Sequence, residues 1–156
     1  MDEKNEAKVC FETIKSTLDG MKWNYDVKED FLIATSANGD NMAIPLFIGI
    51  DADKPAIYIH SPMPYKVSAD NVDKIARSVC EANFSMLIGS FDLDTRNNRI
   101  VFKSTLPFME SLISEATCKY MILLACYMAD RFNLKFLELD KGDITLEQFI
   151  EYVQKN

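Results

Sequence analysis

The chain has 156 residues, 48% hydrophobic and 26% charged, and its 24 acidic residues outnumber the 17 basic ones. This length and composition suit a globular protein with a substantial core. The net charge of −7 disfavours binding to nucleic acid or to an anionic membrane surface, because like charges repel. We therefore expect a single domain over residues 1–156 that has neither kind of partner.

The ends and the apolar runs of the chain predict a cytoplasmic protein. The N-terminal segment MDEKNEAK is charged and lacks the apolar stretch of a signal peptide. The longest apolar run, YMILLACYMA at residues 120–129, is far shorter than the ~20 residues that span a bilayer. The four cysteines lie in predicted helices without C-x-x-C spacing. This favours reduced, buried thiols, with a metal or disulfide role as the alternative.

The first helix and the first strands are marked by a change in the apolar period. Residues 3–18 repeat apolar side chains every three or four positions, as in an amphipathic helix. Between residues 23 and 61 the period becomes two, which indicates three strands. The Asn-Gly pair at residues 38–39 predicts a two-residue turn. That turn would place Ile33 opposite Ile44.

The second and third strands form a hairpin around the loop DADKP. We expect Ile57 to lie opposite Ile50 on the apolar face and Phe47 to lie opposite His60 on the other face. Pro45 cannot donate a hydrogen bond within a central strand. It therefore predicts a bulge or an unpaired stretch.

A second hairpin is predicted in the stretch FDLDTRNNRIVFKSTLPF. If Asn97 and Asn98 form the turn, Leu93 faces Phe102 and Asp92 faces Lys103. Apolar side chains then meet on one face of the hairpin and opposite charges on the other.

Three further helices complete the predicted fold. One covers residues 71–86 and has a polar Asn83 on its apolar stripe; another covers residues 109–132. A short extra helix lies within residues 142–156 and begins with the capping box TLEQ. The order α-βββ-α-ββ-α-α predicts an α+β fold with a five-stranded antiparallel sheet.

No residue pattern indicates catalysis, a metal or a cofactor. Calcium-like spacings at residues 92–103 and 137–148 lack the glycine or the carboxylates that such loops require. His60 is the only histidine, and the glycines are too scattered to cradle a phosphate. We therefore expect a protein that is not an enzyme and has no cofactor.

The second face of the sheet is the candidate binding surface. It would carry Leu32, Phe47, Tyr58 and His60. A groove for a peptide or another partner is one interpretation. The alternative is that helices cover this face too, or that these side chains are scattered surface residues.

Residues 81–108 resemble the YbjN-type family. The shared pattern is a helix with an asparagine near its end, the hairpin FDLDTRNNRIVFKSTLP and an apolar helix behind it. That family is grouped with the type III secretion chaperones and described as sensory transduction regulators. The resemblance implies a secretion-chaperone-like fold and a small, acidic, often dimeric protein that binds other polypeptides.

The predicted function is a non-enzymatic regulator or small chaperone that holds partner polypeptide segments on apolar patches. We assign partner binding to Phe47, Tyr58 and His60. Residues 120–129 are apolar all round, so the side turned away from the sheet needs either the first helix or another subunit to cover it. With the dimers that the resemblance implies, we expect a homodimer. We assign self-association to three residues of this helix: Tyr120, Leu124 and Tyr127.

The alternative function is a small-molecule-binding sensor or a hydrolase. It would use a pocket between the sheet and the third helix. A deep cavity lined by Tyr120, Asp94 or His60 would favour this alternative.

Overall fold

The computed structural model describes residues 3–155 and has the predicted α+β architecture. One antiparallel sheet has the strand order β1-β2-β3-β4-β6-β5. The helices are α1 (Glu3–Gly20), α2 (Val72–Phe84), α3 (Glu115–Lys141) and α4 (Leu146–Lys155), with a 3₁₀ helix at Ala69–Asn71. The strands are β1 (Tyr25–Glu29), β2 (Leu32–Asn38), β3 (Ala43–Asp51), β4 (Ala56–Pro62), β5 (Ser90–Asp94) and β6 (Arg99–Pro107).

The sheet has six strands, so the prediction of five was wrong. The additional strand, β1, pairs with β2 and places Val27 opposite Ile33. Its sequence YDVKE is mostly charged, and Val27 itself is 54% exposed. A short charged strand is typical of a sheet edge, where little apolar surface is buried. Backbone pairing forms this strand, and an apolar pattern does not reveal it.

The first hairpin has a longer loop than the Asn-Gly pair predicts. Residues 39–42 form the loop, and the N–H of Gly39 donates to the carbonyl of Met42. Ile33 therefore lies opposite Ile48 and not opposite Ile44. The register differs from the prediction by four residues. An even shift keeps every side chain on its predicted face, so Ile33 is still buried.

The second hairpin differs from the prediction in the same way. Its loop spans residues 95–98, with Asn98 in the left-handed conformation at φ 53°. Phe91 lies opposite Phe102, which is a shift of two residues. Lys103 still pairs with Asp92, diagonally across the two strands, at 2.8 Å between Nζ and Oδ2.

The register between β3 and β4 is confirmed. Ile50 lies opposite Ile57, and Phe47 lies opposite His60. The pairing with β4 begins at Phe47, so Pro45 has a neighbouring strand only on the β2 side. The predicted unpaired stretch at this proline is present on one side of β3.

The helices lie on one side of the sheet: α1, α2 and α3 contact its strands, and α4 packs on α2 and α3. An aromatic cluster fills the centre of this layer. Phe91 makes edge-to-face contacts with three other rings at centroid distances of 5.2–5.3 Å. Phe149 of α4 stacks on Phe136 at 5.2 Å, so the last helix docks on its own chain. The predicted capping box begins α4, with two reciprocal hydrogen bonds between Thr145 and Gln148. The cluster comprises Phe91, Phe102, Phe132, Phe136 and Phe149.

Asn83 of α2 holds the free edge of the sheet at β5. Its Nδ2 donates to the carbonyl of Phe91 at 2.8 Å, and its Oδ1 accepts the N–H of Phe91 at 2.7 Å. The two backbone groups of Phe91 therefore point away from β6. The amide of Asn83 takes the place that a neighbouring strand would occupy. This explains a polar residue on the apolar stripe of α2.

Candidate functional site

The second face of the sheet carries no buried side chain in any of the six strands. On the helix-covered face, by contrast, residues such as Ile48, Ile59 and Phe102 are at most 1% exposed. Phe47 is 39% exposed at the middle of the open face. The interpretation that helices also cover this face is therefore wrong for the described part of the chain.

The structure brings the three predicted partner-binding residues together. Phe47 and His60 are direct cross-strand neighbours, and the rings of Tyr58 and His60 lie 4.9 Å apart between centroids. Lys103 of β6 lies opposite His60 on the other side. Phe47, Tyr58 and His60 thus lie at neighbouring positions on one face of the sheet, and we call these three residues the aromatic patch.

Burial and charge set the protonation of this patch. Burial lowers the pKa of His60 below its usual value, and the nearby Lys103 lowers it further. Burial raises the pKa of Tyr58, as do the carboxylates of Asp51 and Glu29. Both rings are therefore neutral at pH 7. The patch offers apolar ring surface with a hydrogen-bonding group at each end of the Tyr58–His60 pair.

A charged depression adjoins the patch at the β5–β6 hairpin. Its volume is about 590 Å³. Asp94 accepts hydrogen bonds from the side chain of Asn97 and the backbone of Arg96, and these bonds lower its pKa. The depression also contains the Asp92–Lys103 ion pair. Charges of both signs at the rim of an apolar patch are typical of a protein-binding surface.

Two of the three predicted self-association residues lie on an exposed stripe of α3. Tyr120 is 55% and Tyr127 is 59% exposed, whereas Leu124 is half-buried. Leu123, which the apolar pattern does not single out, is 43% exposed. Spacings of three and four residues place Tyr120, Leu123 and Tyr127 on one side of the helix. The sequence alone could not identify Leu123 as exposed, because its exposure depends on which side of α3 faces the sheet.

A second exposed apolar site follows α2. Phe84 is 95% and Leu87 is 96% exposed. Leu87 continues the apolar stripe of the predicted helix, so the sequence does not distinguish it from a core residue. Phe84 is the last residue of α2, and Leu87 lies in the turn that follows the helix.

The residues proposed for a small-molecule pocket do not lie together. His60 and Asp94 are on the open face of the sheet, whereas Tyr120 is on α3, which packs on the other face. The aromatic cluster fills the space between the sheet and α3, where Phe91 and Phe132 are at most 1% exposed. Among residues 3–155, no group of three or more His, Cys, Asp or Glu side chains could hold a metal ion.

Comparison with known families matches residues 11–138 to the YbjN family, described as "Putative bacterial sensory transduction regulator". The chain belongs to the YbjN family. Among solved structures, its fold is similar to "Crystal structure of YbjN, a putative transcription regulator from E. coli". The TM-score is 0.60 and the identity 15%, over 85% of this chain and 92% of that chain. Comparison with curated proteins gives no match.

The YbjN match places the open face inside the family region. Residues 11–138 include all six strands and α3 as far as Glu138. Helix α4 begins at Leu146, beyond the matched region. Within the described residues, no helix of this YbjN-family chain has the length and apolar character needed to cross a bilayer.

Proposed function

We propose that this chain is a cytoplasmic, non-enzymatic protein-binding regulator or small chaperone. It holds segments of partner polypeptides against the open face of its sheet. The observation that carries the proposal is the aromatic patch, in which Phe47, Tyr58 and His60 lie together on a sheet face that no helix covers. Membership of a family described as regulators supports a regulatory role, although it does not name a partner.

The chemistry of the patch favours a polypeptide partner. Aromatic side chains bury a large apolar area at low entropic cost and are enriched among the residues that dominate binding. Binding on the face also leaves the backbone groups of the sheet undisturbed. Addition of a strand at β5 is disfavoured because Asn83 already bonds the free edge at Phe91.

A photo-crosslinking amino acid at position 47 tests the proposal. With p-benzoylphenylalanine in place of Phe47, illumination in the native host should produce covalent adducts with polypeptides, and mass spectrometry identifies the bound segment. The segment is then synthesised and its affinity measured by fluorescence anisotropy. We expect Phe47→Ser to weaken binding by about 30-fold, as for an aromatic residue at the centre of an interface.

Phe84 provides the matched control, because it is an exposed phenylalanine outside the patch. Phe84→Ser should change the affinity less than twofold. Equal losses of affinity in Phe47→Ser and Phe84→Ser would refute binding on the open face. Adducts with the crosslinking amino acid at position 84, and none with it at position 47, would do the same. Recovery of metabolites alone would favour the small-molecule sensor.

Self-association through α3 is the second part of the proposal. Tyr120 and Tyr127 are exposed and Leu124 is half-buried beside them, so a second copy would bury two aromatic side chains here. We expect light scattering at two concentrations to give the mass of a dimer. The double variant Tyr120→Lys with Tyr127→Lys should be a folded monomer. Dimerisation would remove two unpaired lysine charges from water, which is unfavourable.

The matched control for self-association is Lys substitution at two exposed sites away from α3. Phe84→Lys with Leu87→Lys adds the same charge and should leave the dimer intact. A wild-type chain that is monomeric at both concentrations would remove self-association from the proposal and leave partner binding unaffected.

A further inference from the structure

The two free edges of the sheet differ in how their backbone groups are bonded. At β5 the side-chain amide of Asn83 bonds the N–H and the C=O of Phe91. At the opposite edge, no side chain of residues 3–155 bonds the backbone of β1 in this way. The edge at β1 is therefore the one at which a further strand can pair.

The alternation of hydrogen bonds directs the backbone of Val27 out of the sheet. The N–H of Ile50 in β3 donates to the carbonyl of Phe31, the residue before β2, at 2.9 Å. Because the bonded groups of antiparallel strands alternate, Ile33 also directs its N–H and C=O toward β3. Ile33 therefore cannot bond to Val27, which lies opposite it in β1. The N–H and C=O of Val27 point away from β2, toward the position of a further strand.

The sequence of β1, YDVKE, is complementary to itself in the antiparallel direction. If β1 of a second copy pairs with it about a two-fold axis at Val27, Asp26 of each copy lies opposite Lys28 of the other. Tyr25 of each copy then lies opposite Glu29 of the other. Every charged side chain of the strand faces an opposite charge or an uncharged phenol, so no like charges meet.

The two faces of β1 also match in this pairing. Asp26 and Lys28 lie on one face, where their side chains form an ion pair at 3.1 Å between Nζ and Oδ2. Val27 lies on the other face with the buried Ile33, yet it is itself exposed. A groove of about 290 Å³ between α1 and the β1–β2 turn adjoins Val27. Two-fold pairing would place the two valines side by side on the helix side and bring four charges together on the open face.

We propose that β1 pairs with β1 of a second copy of this chain about a two-fold axis at Val27. The N–H of each Val27 would donate to the C=O of the other, and two Asp26–Lys28 contacts would flank this pair. The six-stranded sheets of the two copies would continue as one sheet. This contact goes beyond the proposed function, because it involves neither the aromatic patch nor the exposed stripe of α3.

The pairing at β1 is short and therefore weaker than a contact through α3. The register shifts between Val27 and Glu29, so the regular outward alternation ends after Val27. Two hydrogen bonds and two exposed ion pairs contribute little free energy. A chain with two separate two-fold contacts can bind two other copies, so β1 would join α3 dimers into larger assemblies at high protein concentration.

Sedimentation equilibrium tests the pairing on the full chain with Tyr120→Lys and Tyr127→Lys, in which α3 does not associate. We expect this chain to form dimers as its concentration rises. Asp26→Lys places lysine opposite lysine, and Lys28→Asp places aspartate opposite aspartate. Each of these two substitutions should lower the association constant about tenfold.

Mixing the two single variants gives a result that only pairing between copies can produce. A copy with Asp26→Lys and a copy with Lys28→Asp present opposite charges at both contacts. The mixture should therefore associate within about threefold of the parent chain. The double variant Asp26→Lys with Lys28→Asp restores the match within one sequence and should do the same. A substitution that only weakened β1 within its own sheet would not be rescued by a second copy.

The β3–β4 loop provides the matched control, because Asp53 and Lys54 are exposed and lie outside β1. Asp53→Lys and Lys54→Asp make the same changes in charge. Alone or mixed, they should alter the association constant less than about twofold. Equal effects at the two sites would overturn the inference in favour of general charge attraction.

Hydrogen exchange measured by NMR locates the contact on the edge of β1. The N–H of Val27 should exchange about fivefold more slowly in a concentrated sample, where most chains are paired, than in a dilute one. The N–H of Asp26 bonds to β2 within the same sheet, so its exchange should not depend on concentration. Equal slowing of both amides would overturn pairing at Val27.

A chain that stays monomeric at every concentration in this background would overturn the inference. Association that survives both single variants, or that mixing does not restore, would also overturn it. The proposed function is unaffected by these results, because crosslinking at position 47 measures it separately. If the mixed variants associate but no polypeptide is captured at position 47, partner binding fails and pairing through β1 stands.

Discussion

Phe91→Ala is expected to lower the free energy of unfolding by about 3–5 kcal/mol. The Phe91 ring is 1% exposed and contacts Phe102, Phe132 and Phe136. These rings come from β6 and α3, so removing Phe91 leaves a cavity at the junction of the sheet with its longest helix. Urea denaturation followed by circular dichroism measures the change.

The matched control for Phe91 is the same substitution at Phe84. Phe84 is 95% exposed, so Phe84→Ala should change the free energy of unfolding by less than about 0.5 kcal/mol. If Phe91→Ala cost no more than this control, the aromatic cluster would not be the centre of the core.

Asn83→Ala is expected to cost about 2 kcal/mol, the second largest effect. The substitution removes both hydrogen bonds to Phe91 and leaves a partly buried N–H and C=O without partners. It also opens the free edge of β5 for pairing with another chain. The variant should therefore unfold at lower urea concentration and form concentration-dependent aggregates, which light scattering detects.

Asn97 is the control for Asn83, since it is an exposed asparagine in the β5–β6 loop whose side chain donates to Asp94. Asn97→Ala should change stability by less than about 0.5 kcal/mol and should not increase aggregation. Aggregation of both variants would show that the edge of β5 is not controlled by Asn83.

The sequence predicts which side chains share a face of the sheet better than it predicts their partners. Both hairpin registers differ from the prediction, by four residues at Ile33 and by two at Phe91. Side chains alternate with period two, so an even shift leaves the apolar set in the core. Loop length depends on contacts made elsewhere: the N–H of Asp40 donates to Asp130 of α3, 90 residues away. No local pattern contains that contact.

The role of Asn83 and the edge strand β1 could not be predicted for a related reason. An amide on an apolar stripe signals a buried polar contact, but its partner Phe91 is identified only when α2 is placed beside β5. Strand β1 buries almost no apolar surface and therefore leaves no alternating pattern.

The pairing of Phe47 with His60 was predictable because the DADKP loop and the isoleucines on either side agree on one register. The sequence does not show that the face they share is open, because alternating half-apolar strands are compatible with helices on either side. Nor does it show that Tyr58 lies down over Gly49, which depends on the absence of a Cβ one strand away. Long-range packing decides both features.

Because all helices lie on one side of the sheet, the strand residues fall into two sets that differ in the substitutions they tolerate. Changes at Ile48 or Phe102 must preserve the volume of a closed interior. Changes at Phe47 alter the surface that a partner meets, because no helix of the described residues covers this side chain. Substitutions on the open face can therefore change the binding preference of this protein without changing its fold.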